Sequence, residues 1–104
     1  MATDQYHEPP EELSAKTRTL ARMFTGLIEE CEAMNWYQQR ISVEKNKEAR
    51  AIMQNAQKEE FKHFGMGLEF IMRQIPDLRE TLKGILFTDG DIVEAGEEAE
   101  DAVD

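Results

Sequence analysis

At 104 residues the chain is sized for one small domain, which excludes a multidomain enzyme. Its net charge of −10 argues against nucleic-acid binding. That charge is uneven: Asp89, Asp91, Glu94, Glu97, Glu98, Glu100, Asp101 and Asp104 follow one another without a Lys or Arg and carry −8, leaving −2 for residues 1–87.

Apolar residues make up 40% of the chain, aromatic residues 8% and charged residues 33%, a balance that suits long amphipathic helices better than a sandwich or barrel. Cys31 is the one cysteine, so no intrachain disulfide forms and a reducing compartment is expected. No apolar run approaches the roughly 20 residues of a membrane span, and no signal peptide opens the chain. The expectation is a soluble, cytoplasmic protein with no membrane partner.

In chain order, residues 1–8 are polar and read as loose; His7 is a candidate metal or surface residue, but a lone His in a loose terminus is usually neither. Pro9-Pro10 stiffens the entrance to a helix, and Glu11 and Glu12 sit where the helix dipole favours negative charge. The first helix is predicted from about Pro10 to about Arg40. Leu13, Leu20, Leu27, Met34 and Ile41 recur every seven residues, the mark of a seam against another helix. A turn over 42–47 follows, with Ser42 or Asn46 as cap; it is short enough to force an antiparallel return. The second helix is predicted from about Lys47 to about Gln74, with an inner face of Ile52, Met53, Ala56, Glu60, His63, Phe64, Gly67, Leu68 and Ile71. Gly65 and Gly67 weaken a helix by roughly 1 kcal/mol each, which points to close approach of another backbone. Pro76 breaks the rod at Ile75. A short third helix is read over 77–87, and the acidic remainder as disordered. Residues 1–87 would thus form one helical domain and 88–104 a tail.

Glu60-x-x-His63 places a carboxylate and an imidazole one turn apart on one helix face. That pattern is the helix signature of di-iron carboxylate bundles, in which two helices bring one Glu each and two bring Glu-x-x-His. Glu30, set among Met23, Leu27, Met34 and Tyr37, occupies a core-like position on the first helix. The hairpin would bring it level with Glu60 and His63. Taken singly, a charged residue beside a seam is more often solvated, or paired here with Lys62 or Arg22. Taken together, the three make half a site. Two copies would supply four Glu and two His, and four carboxylates balance two divalent ions. Oxygen ligands with a minority of imidazole suit iron or manganese. Spacing alone leaves Glu59 open as an alternative to Glu60; the apolar stripe runs closer to Glu60. Tyr37 is a candidate hydrogen-bonding neighbour of the metals. Glu29 and Glu32, beside Trp36, are candidates for gathering cations outside the main site, including Ca or another divalent ion. Cys31 reads as a small buried hydrophobe.

The run Glu29-Glu30-Cys31-Glu32-Ala33-Met34-Asn35-Trp36-Tyr37-Gln38-Gln39-Arg40, with Glu59-Glu60-Phe61-Lys62-His63 downstream and His7-Glu8-Pro9 and Leu86-Phe87-Thr88-Asp89-Gly90 at the ends, resembles the encapsulated ferritins. These are two-helix, ferritin-like proteins packaged in encapsulin nanocompartments. The resemblance implies an all-α fold: an antiparallel two-helix hairpin, half of a ferritin-like four-helix bundle, plus a short C-terminal helix, completed by dimerisation. It implies a ferroxidase that takes Fe(II) and O2 as substrates at a di-iron site between two subunits. Glu30, Glu60 and His63 of each chain would be the ligands, with Tyr37 close by. Glu29, Glu32 and Trp36 would form an outer, secondary metal site. It further implies a ring of five dimers that delivers iron for mineral storage inside an encapsulin shell. The family's C-terminal targeting peptide, rich in Leu and Gly, has no match in Glu98 to Asp104. Two other readings compete: a di-iron or di-manganese peroxide scavenger, and a metal-free helical dimerisation or adaptor module.

Overall fold

A computed structural model describes residues 4–104. It consists of helices, with no strand among the described residues. A single 3-10 turn at Pro10–Glu12 precedes α1 (Ala15–Val43), α2 (Lys47–Gln74), α3 (Pro76–Lys83) and α4 (Ile92–Val103). No described helix is long and apolar enough to cross a membrane.

The first helix starts later than the sequence predicts. Leu13 is extended, at φ −90° and ψ 141°, and separates the 3-10 turn from α1. Ser14 supplies the reason, because its hydroxyl accepts from the Thr17 amide at 3.1 Å and caps a new helix. Arg18 ties the two pieces together by donating to the Pro10 carbonyl at 3.0 Å. At the far end the Glu44 amide donates to the Arg40 carbonyl, and Glu44 itself is extended. Of the two candidate caps for α2, Asn46 takes the role: its Oδ1 accepts from the Ala49 amide at 2.9 Å.

The chain divides into two compact units, one ending at Glu69 and the other Phe70–Asp104. In the first, α1 and α2 run antiparallel. The glycines predicted to allow close approach behave differently from each other. A Cβ on Gly67 would meet Leu27 Cδ2 of α1 at 3.2 Å, so the approach is by a side chain rather than a backbone. A Cβ on Gly65 would meet open space. The inner face of α2 also differs in register. Gln57 and Gly67 are buried, with Met53, Glu60 and Phe64 half-buried at the intervening spacings of three and four. Ile52 and His63 fall on an exposed flank. Phe24, Ile28, Trp36, Phe61 and Met66 also remain exposed. Two helices alone cannot cover both apolar faces.

In the second unit the predicted break holds: the Ile75 amide closes α2 on the Ile71 carbonyl, and Pro76 opens α3. α3 ends at Lys83, short of the predicted Phe87, because Leu82 accepts from both Ile85 and Leu86 in a closing turn. Phe87 then takes a left-handed φ of 63° and is fully exposed.

The acidic stretch, expected to be disordered, forms α4. Asp91 caps it by accepting from the Val93 amide at 3.2 Å. Ala95, Gly96, Ala99 and Val103 give it a small-residue face, on which Ala99 is buried, while Glu94, Glu97, Glu98, Glu100 and Asp101 are exposed. Charge alone suggested a solvated coil; spacing of small residues every three or four positions supports a helix that docks. The docking point is Gly84, where a Cβ would fall 2.7 Å from Ala99 Cβ and 3.3 Å from its Cα. Both are fixed atoms that cannot swing aside. Gly84→Ala should therefore destabilise α3–α4 packing by about 1–3 kcal/mol. Hydrogen exchange should show α4 amides losing protection while those of α1 keep theirs; unchanged α4 protection would contradict this contact.

Candidate metal centre

Glu30 lies 14 residues before Glu44, and Glu60 lies 14 residues after Asn46, so an antiparallel hairpin sets them at one level. Two cross-helix contacts fix that level from either side. On one side Gln57 Nε2 donates to the Met34 carbonyl at 3.2 Å and to Gln38 Oε1 at 2.9 Å. On the other, Leu27 packs into the space at Gly67. Glu30, Glu60 and His63 fall between.

Glu30 as a whole is half-buried, but its Oε2 is shut off from solvent with no hydrogen-bond donor in reach. Such an oxygen is unusual, since buried polar atoms are nearly always paired. Desolvation pushes the Glu30 pKa above its ordinary 4.5, and the negative charge of Glu60 pushes it further. The positive form of His63 pulls it back, and Glu29 adds a smaller upward push. Glu30 therefore feels both Glu60 and His63. Glu60 is half-buried and His63 exposed.

Glu59, the alternative to Glu60, is occupied elsewhere. It faces solvent and pairs with Lys62 at 2.8 Å, which holds its carboxyl below the ordinary range. Arg22 donates to the Thr19 hydroxyl. Tyr37 is half-buried, with the Arg40 guanidinium 5.5 Å from its ring centre. Trp36 is 48% exposed and lines a shallow groove with Gln39 and Arg40. Glu29 is exposed and Glu32 half-buried beside it in sequence. Cys31, expected to be buried, is exposed. His7 is exposed and lines a groove along α1 with Asp4, Thr17, Leu20 and Phe24.

Among the described residues, no three His, Cys, Asp or Glu side chains of the one chain gather closely enough to hold a metal ion. Glu30, Glu60 and His63 share a level without forming a coordination sphere. Even so, an acceptor oxygen held dry without a donor, within electrostatic reach of a second carboxylate and an imidazole, belongs to a donor set of the kind a cation takes. Sequence reading missed Gln57. The signal was present: 53, 57, 60, 64, 67 and 71 alternate spacings of four and three, which places a polar amide on the seam.

Such a half-bundle, with Glu on one long helix and Glu-x-x-His on its neighbour, defines a ferritin-like protein. The chain belongs to the EncFtn-like family, whose model matches residues 5–89. It is 43% identical over 95 residues to a ferritin-like protein of Thermotoga maritima, covering 91% of this chain and 83% of that one. It is 35% identical over 100 residues to an encapsulated ferritin-like protein of Rhodospirillum rubrum, covering 94% and 71%. The crystal structure of a protein from Nitrosomonas europaea superposes with a TM-score of 0.81 at 43% identity, over 86% of this chain and 99% of that one.

A carboxyl whose folded-state pKa lies above 4.5 binds its proton more tightly when folded. Its contribution to stability is therefore complete below 4.5 and is lost as pH rises through the raised value. Glu30→Gln removes that loss. In chelator at pH 7 this variant should melt a few degrees above wild type, and the gap should narrow as pH falls towards 4.5. Thermal melts followed by circular dichroism decide it; equal melting at both pH values would contradict the strained carboxylate.

Proposed function

We propose that the protein is a ferroxidase whose site forms when two copies meet across the face bearing Glu30, Glu60 and His63. The observation that carries this reading is the dry, unpartnered Oε2 of Glu30, a carboxyl that feels the charges of Glu60 and His63. Membership of a ferritin-like family supports it. So do the exposed apolar side chains Phe24, Ile28, Phe61 and Met66, which a second copy would cover.

Two Fe(II) ions are the substrate, each giving one electron to O2. Glu30 and Glu60 of both chains bind them, and their negative charge favours the ferric product over the ferrous substrate. His63 completes each set as a neutral nitrogen ligand, which needs the imidazole deprotonated. Tyr37, one face of whose ring is held by Arg40, borders the site. Glu29, Glu32 and Trp36 form an outer site that gathers Fe(II), or Ca and other divalent ions, on the way in. The assembled form is a ring of five dimers. By analogy with the encapsulated relative, that ring sits inside an encapsulin shell in the cytoplasm and delivers oxidised iron for storage there.

The decisive measurement mixes purified protein with Fe(II) in air and follows ferric absorbance. Wild type should outpace buffer, while Glu30→Ala, Glu60→Ala and His63→Ala should each lose about 10-fold or more of the rate. An assembled wild type no faster than buffer points instead to a metal-free dimerisation module. A chain that stays monomeric with and without Fe(II) would remove the shared site altogether.

A further inference from the structure

Gln57 is the one buried polar side chain among the described residues, at 9% exposure. Both hydrogens of its amide are used on α1: one on the Met34 carbonyl at 3.2 Å, the other on Gln38 Oε1 at 2.9 Å. A carbonyl can only accept, so the Met34 contact fixes which end of the Gln57 amide faces α1, and Gln38 must then present its oxygen. Met34 lies one turn beyond Glu30, and Gln57 lies one turn before Glu60. The amide therefore grips α1 one turn from the candidate site on both helices.

The rest of the seam is less selective. Leu20, Leu27, Met34 and Ile41 repeat every seven residues along α1, so the apolar pattern looks much the same after a shift by one repeat. Methionines such as Met23, Met34 and Met53 adapt to whatever faces them. The turn joins the helix ends, yet Glu30 and Glu60 lie 14 residues from it. Sliding α2 by one turn would move it about 5.4 Å, and a directional amide with two acceptors does not survive that. A lone buried polar group setting helix register is a well-attested device.

We propose that Gln57 is a positioning residue that sets the register of α2 on α1 and so holds Glu60 and His63 level with Glu30. Its functional consequence rests on the ferroxidase reading above. Gln57→Met keeps the volume and apolar fit while removing both hydrogen bonds.

The test reads register and chemistry separately. Spin labels at Asn35→Cys and Lys58→Cys, both exposed, in a Cys31→Ser background report the distance between the helices. Fe(II) oxidation is measured on the same variants without labels. Gln57→Met should keep wild-type helicity and assembly mass, show a shifted or broadened distance, and lose about 10-fold or more in rate, since misplacement of even 1 Å is that costly. Gln38→Ala removes one of the two bonds and should show the same changes to a smaller degree. Gln54→Met, on the exposed side of α2, should change neither.

A wild-type distance in Gln57→Met overturns the proposal, whatever the rate does. A changed distance with a wild-type rate overturns it as well. If wild type itself oxidises no iron, the ferroxidase reading fails, and the label distance alone then judges Gln57. If Gln57→Met does not fold, Gln38→Ala carries the test, and wild-type distance and rate there overturn the proposal.

Discussion

The structure depends on one alignment: which residue of α2 faces which residue of α1. The candidate metal centre rests on it. Glu30 comes from one helix, Glu60 and His63 from the other, and neither helix carries a site alone. A change of one residue in facing would turn each side chain by about 100°. The unpaired oxygen of Glu30 would then reach water, and its raised pKa would relax. Gln57 and the Leu27–Gly67 contact bracket the level at which this does not happen.

That alignment sets stability against function. A carboxylate kept dry beside another carboxylate weakens the metal-free hairpin, because desolvation and the neighbouring charge of Glu60 disfavour the ionised form of Glu30. The same arrangement is what a cation relieves. Exposed apolar residues along both helices make a parallel point about packing. Phe24, Ile28, Phe61 and Met66 are poorly placed for water, and a single hairpin has nothing further to cover them with. Charge and apolar surface both leave the isolated chain incomplete.

Much of this was legible in the sequence, and the failures have physical causes. The seven-residue spacing, Pro76 and Asn46 gave the hairpin, the break at Ile75 and the cap of α2, because these signals act over a few neighbouring residues. The shared level of Glu30, Glu60 and His63 was readable because spacing along each helix and distance from the turn need no tertiary detail. The exact facing of α2 did need it: Ile52 and His63 turned out to flank the seam, and Gln57 to sit in it. A Gln at a seam position is easily read as surface, since only its partners Met34 and Gln38 show what satisfies it. Leu13 misled in another way, since a favourable first turn at Pro10 lost to a better cap at Ser14.

The largest difference was α4, where high charge outweighed a pattern of small residues. Its grip on Gly84 is a matter of shape, Ala99 seating where a Cβ would otherwise stand. Glu94, Glu97, Glu98, Glu100 and Asp101 are therefore fixed in place on the exposed side of a docked helix. A flexible tail would spread the same charge through a fluctuating volume, averaging its direction away. On a docked helix the charges stand at a rise of about 1.5 Å per residue, on the side away from Ala99. The resulting potential has a bearing relative to α3, and mobile counterions gather along one flank, within the roughly 8 Å that physiological salt allows. This end of the chain is an oriented polyelectrolyte.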